Sequence, residues 1–205
     1  MIEIFILSLV QGITEFLPIS SSSHLILMSD YLEFENQSLS IDISLHIGSF
    51  IAVVMYFYKD IKNFFNNKII FLKILISSLP VMIVGFFLVE TNLINKIRNL
   101  ETIAWTTTLF GILLYISDKF KIEKSLQNNL NMKSVFFIGI MQILSLIPGV
   151  SRSGIAITAA RLLKFKRTDA AKISFLISIP ILGAVSIFGL KNLIFLENFE
   201  FTKLN

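Results

Sequence analysis

The sequence predicts an all-α integral membrane protein, an inverted repeat of two re-entrant helical hairpins plus about four full transmembrane helices. Three observations carry this expectation. The 205 residues are 54% hydrophobic and 16% charged, with a mean hydropathy of +0.76, far too apolar for a soluble domain. Two apolar stretches are broken by a proline beside serines, at 17–23 and 147–153. The basic residues collect in alternate loops, as the positive-inside rule requires. One membrane domain over 1–205 follows, with repeat one over about 1–68 and repeat two over about 134–195. The net charge of +4 implies no nucleic-acid partner, because its lysines sit between apolar segments and set orientation. The absence of cysteine excludes disulfides, thiolate metal sites and cysteine nucleophiles. Met1-Ile2-Glu3 lacks the basic start of a signal peptide, so it is read as part of the fold.

Residues 3–16 read as an apolar helix too short to cross the roughly 30 Å hydrocarbon core. Pro18 ends it by removing a donor and restricting Leu17, and a second short helix runs from Ser21 to about Tyr31. Asp30, Glu33 and Glu35 mark a polar loop. The segment 43–58 is expected to span, with Asp42, His46 and Gly48 near its start, and His46 reads as structural. Residues 69–89 span next despite Pro80 and Gly85. Lys96 and Arg98 are then balanced by Glu90 and Glu101. Residues 102–117 span again and Lys119, Lys121, Lys124 and Lys133 follow. The stretch 135–147 is short and ends at Pro148-Gly149, a helix resumes from Arg152 to Leu163, and 173–190 spans without a charge. Loops 59–68, 118–133 and 164–172 are thus cytoplasmic and loop 90–101 external, so the two hairpins enter from opposite sides. Their broken tips should meet near the midplane.

Polar groups at that depth are a site by default. Gln11 and Glu15 stack on one helix face, where a carboxylate and an amide can hold a hard cation and leave room for phosphate oxygens. Ser20, Ser21, Ser22 and Ser23 stand at a helix start, where hydroxyls and free N–H groups cradle anions. His24 offers an acid, a base or a nucleophile. Gly149, Ser151, Arg152 and Ser153 form a second anion-ready tip, with Arg152 able to grip phosphate bidentately. Phosphate or pyrophosphate chemistry at a membrane fits this set best. No Asp follows His24 in an obvious orienting role, so no acyl-transfer triad is assembled.

Gln11-x-x-x-Glu15, Phe16-Leu17-Pro18-Ile19-Ser20-Ser21 with His24, and Pro148-Gly149-Val150-Ser151-Arg152-Ser153 closely resemble the undecaprenyl-diphosphate phosphatase family, the bacitracin-resistance proteins of bacterial membranes. The resemblance implies hydrolysis of undecaprenyl diphosphate to the monophosphate carrier lipid of the cell wall. It also implies a need for Mg²⁺ or Ca²⁺, and a site on the periplasmic side of the inner membrane. By motif match, Gln11 and Glu15 fall on the metal pair, and Ser21, His24, Ser151 and Arg152 on the catalytic positions; Ser21, His24 and a metal-activated water remain alternative nucleophiles. Ser22 stands where the family often has Thr, Ser23 where it has Gly, and Ala156 where it commonly keeps a Thr that Thr158 could replace. Family members run longer, with further C-terminal membrane helices, which a homodimer partner could supply here. A transporter or flippase of polyprenyl phosphate lipid, or an inactive shortened relative, is the alternative expectation.

Overall fold

Serine and asparagine start most of the long helices. The computed structural model describes residues 2–34, 39–91, 99–121 and 124–203; Glu35, Lys96 and Arg98 lie outside the described residues. Helix α1 is Ile2–Thr14 and α2 is Ser21–Tyr31, capped by Ser20, whose Oγ accepts from Ser23 N. Then come α3 (Leu39–Tyr56), α4 (Tyr58–Asn66) and α5 (Lys68–Glu90), the last capped by Asn67. Asn99 caps α6 (Leu100–Asp118), a single turn α7 (Leu126–Asn129) follows, and Asn131 caps α8 (Met132–Ile143). A 3-10 turn, Leu144–Leu146, leads to the second break. Ser151 caps α9 (Arg152–Leu162), and α10 runs from Arg167 to Lys203. Each of these side-chain oxygens satisfies a backbone N–H that a helix start leaves without a partner.

Three helices among the described residues are long and apolar enough to cross a membrane: Lys68–Val89, Leu100–Asp118 and Arg167–Lys191. Their outer faces carry exposed Phe86, Phe87, Trp105, Leu109 and Ile112, as faces turned to lipid do. The chain is a multi-pass helical membrane protein. The fourth expected span, 43–58, falls on α3, whose apolar part Ile41–Tyr56 is shorter than a span. The helix is interrupted at Phe57, where the mixed sequence Tyr58-Lys59-Asp60-Ile61-Lys62 begins α4.

The loop expected at 164–172 shrinks to a few residues because α10 begins at Arg167. Asp169 in its first turn accepts from the Leu126 backbone N–H at 3.1 Å, which ties α7 to it. Arg161, 1% exposed, donates to the carbonyls of Phe165 (2.6 Å), Asp118 (2.8 Å) and Phe120 (3.1 Å), so it locks the ends of α6 and α9 together.

The core lies between α5, α8, α9 and α10, around Ile74, Ile138, Ala159, Ala160, Phe165, Ile173 and Ile177. Half of the apolar window of α10 is buried, against 22% for α5 and 11% for α6, so α10 is the central helix and the others face lipid. It packs on α3, α5 and α9. Small residues set the closest approach, as expected where lipid removes the hydrophobic drive between helices. A Cβ on Gly139 of α8 would stand 2.8 Å from the Ser77 carbonyl oxygen and 3.2 Å from Pro80 Cγ of α5. Gly139→Leu should therefore cost about 1–3 kcal/mol through forced separation of these helices. Gly12→Ala, where nothing lies within 4 Å, should not. Thermal unfolding of both variants in detergent checks this.

Candidate active site

Pro18 and Pro148 end α1 and the 3-10 turn, and the two breaks come together in space. Ser153 Oγ donates to the Leu17 carbonyl, Ser151 Oγ lies 3.5 Å from the same oxygen, and a Cβ on Gly154 would stand 3.2 Å from the Pro18 carbonyl. The second break is also pinned to α6. Thr106 Oγ1 donates to the Pro148 carbonyl (2.6 Å) and Thr107 Oγ1 to that of Gly149 (3.2 Å). Gly149 has φ +92°, and a Cβ there would fall 2.8 Å from the Ile103 carbonyl oxygen. Its place in the site is therefore to shape the turn.

Glu15, just beyond α1 and 6% exposed, is the centre of the site. Arg152, the first residue of α9, pairs directly with its Oε1. Its Oε2 accepts from Ser21 Oγ at 2.6 Å and from Gln11 Nε2 at 2.9 Å. Gln11 Nε2 also reaches Ser49 Oγ on α3 at 3.4 Å, and Gln11 Oε1 is buried with no partner. The two breaks thus meet through a part-buried ion pair, with the Ser21 hydroxyl and the Gln11 amide satisfying the carboxylate.

A cavity of about 220 Å³ opens beside the pair. Glu15, Ser20, Ser21, Ser22, Ser151 and Arg152 border it, together with His46 and Ser145. Ser153 and Gln11 support it from behind. His24 does not border it: its Nδ1 lies 2.7 Å from the Ser20 carbonyl, at the start of α2. His46, which the sequence reads as structural, is the imidazole on the cavity wall. Its signal was legible as the i, i+4, i+7 series Asp42, His46, Ser49 on one face of an apolar helix. Ser23 forfeits nothing by replacing glycine, since it sits in the first turn of α2 and its Oγ bonds Ser20 Oγ at 2.9 Å. Thr158 does not stand in for the Thr replaced by Ala156: its hydroxyl donates to the Gly154 carbonyl (2.8 Å) and it borders a separate cavity of about 110 Å³.

The oxygens of Glu15 and Gln11 suit a hard cation. With Nε2 on Glu15, the amide leaves Oε1 an orphaned acceptor; turned over, Oε1 would face the carboxylate, which is favourable only with a cation between them. No group of three or more His, Asp or Glu that could hold a metal occurs among the described residues, so phosphate oxygens and water would complete any shell.

A multi-pass helical protein with a largely buried carboxylate–guanidinium pair, two serine-capped helix starts and a cavity bordered by serines is a membrane protein with charged and polar groups gathered at one place. The chain belongs to the family described as bacitracin resistance protein BacA, whose model matches residues 4–204. It is 52% identical over 194 residues to an undecaprenyl-diphosphatase of Pelagibacter ubique, covering 94% of this chain and 76% of that protein. An undecaprenyl-diphosphatase of Saccharophagus degradans is 42% identical (86% and 71% covered), and one of Jannaschia sp. 40% (91% and 74%).

Removing one member of the pair strands the other in a buried place. Arg152→Leu should cost up to about 3–5 kcal/mol of stability, and Glu15→Gln added to it should recover most of that loss. Unfolding midpoints of the single and double variants measure it.

Proposed function

We propose that this protein is an undecaprenyl-diphosphatase, which hydrolyses undecaprenyl diphosphate to undecaprenyl phosphate and inorganic phosphate and so recycles the cell-wall carrier lipid. The observation that carries the reading is the convergence of Glu15, Ser21 and Arg152 on one cavity. The names of the relatives point to the same reaction.

Arg152 binds the diphosphate. An incoming anion offers its guanidinium a second partner, and the serine-capped starts of α2 and α9 add N–H donors for the equatorial oxygens. Ser21 Oγ, already donating to Glu15, attacks the terminal phosphorus. Its proton passes to Glu15 as the bridging P–O bond breaks and undecaprenyl phosphate leaves. Water then attacks the phosphoester, the bond between Ser21 Oγ and phosphorus breaks, both water hydrogens leave with the phosphate, and Glu15 returns its proton to Ser21 Oγ. His24, bonded to the Ser20 carbonyl, holds the serine turn in place. Glu15 and Gln11 Oε1 would hold the cation, Mg²⁺ or Ca²⁺, which supplies charge neutralisation at the phosphoryl oxygens.

The two broken segments act as re-entrant hairpins of an inverted repeat, with the cavity open to the periplasmic side of the bacterial inner membrane. Support comes from the matched breaks, the serine caps at Ser20 and Ser151, and the alternation of basic loops. A homodimer would cover part of the exposed apolar faces.

Phosphate release from undecaprenyl diphosphate by the purified chain in detergent, with Mg²⁺, with Ca²⁺ and with a chelator, tests the proposal. Release should depend on metal, and Arg152→Ala or Glu15→Ala should lower it by at least about 10²–10³-fold in folded protein. Near-normal rates in either variant would sink the assignment.

A further inference from the structure

Hydrolysis needs a water whose oxygen ends on the released phosphate, whether it attacks the diphosphate or the Ser21 phosphoester. That water must present a lone pair to phosphorus, so something has to accept its hydrogen. Most of the polar groups around the cavity are committed. Both Glu15 oxygens are engaged, by Arg152 and by Ser21 with Gln11, and Arg152 can only donate. Ser20 and Ser151 receive the capping N–H groups of Ser23 and Gly154.

His46 differs. Its Nδ1 lies 2.9 Å from the Asp42 carbonyl. A carbonyl only accepts, so Nδ1 carries a proton, and the tautomer this selects leaves Nε2 as the acceptor nitrogen. The same face of α3 carries Ser49, three residues on, which contacts Gln11 behind Glu15. This register brings the imidazole to the cavity wall beside Glu15 and Arg152.

We infer that His46 positions the hydrolytic water. The inference rests on the phosphatase reading above. Water donates one hydrogen bond to Nε2 of His46, its oxygen forms the new bond to phosphorus, the bond to the leaving oxygen breaks, and the water's proton leaves with the phosphate. His46 acts by orientation, as the water-aligning glutamine does in some nucleotide hydrolases, and gains no proton itself.

Steady-state phosphate release by the wild-type chain, His46→Leu and His46→Gln, each with its unfolding midpoint in detergent, tests this. His46→Leu should lower kcat by about 10²-fold with KM little changed. His46→Gln, whose amide oxygen can accept from the same water, should stay within about tenfold of wild type. An unaffected His46→Leu, or a His46→Gln as slow as His46→Leu at normal stability, overturns the inference and leaves the phosphatase reading intact. A wild-type chain that releases no phosphate overturns that reading, and this role with it. If His46→Leu does not fold, His46→Ala decides with and without added imidazole: restored kcat supports the role, and a folded, slow variant without rescue removes it.

Discussion

The ion pair between Glu15 and Arg152 is the interaction on which the rest depends. A carboxylate 6% exposed within an apolar protein has to be neutralised and hydrogen-bonded, and its cation comes from residues 137 positions away. That requirement draws the end of α1 and the start of α9 together. It also places both backbone breaks in protein surroundings rather than in lipid, where their free N–H and C=O groups would have no partner. The hydroxyls of Ser153 and Thr106, bonded to the Leu17 and Pro148 carbonyls, complete that protection.

Much of the remaining architecture serves to hold these two breaks in register. Arg161 and Asp169 fasten the far ends of α6, α9 and α10, while alanines at 159, 160 and 170 let the central helices approach closely. The left-handed Gly149 lets the second break lie flat on Ile103 and Thr106 of α6. Rigid packing of this kind is what a phosphoryl-transfer site needs, because its catalysis is mostly positioning and electrostatics.

The membrane class and both broken segments were legible in the sequence alone, as was the gathering of Glu15, Ser21, His24 and Arg152 beside those breaks. Composition, proline and serine are local signals, and a charged residue between apolar runs must find a partner. Span lengths were less legible. The charge-free window 173–190 marked α10, but the helix starts at Arg167 because a tertiary bond from Leu126 satisfies Asp169 there. Likewise α3 stops at Phe57, inside a stretch whose average hydropathy favours a full span.

What only the tertiary structure decided is which imidazole borders the cavity. His24 adjoins the serines in sequence, yet a helix start turns successive side chains to different sides, and its ring lies on the Ser20 carbonyl. His46 lies 31 positions from Glu15, on a helix whose polar stripe gains meaning only once α3 packs against α1 and brings Ser49 to Gln11. Sequence proximity orders residues along the chain. Which side chains share a cavity is set by how helices pack; the series Asp42, His46, Ser49 tells only which residues share a helix face.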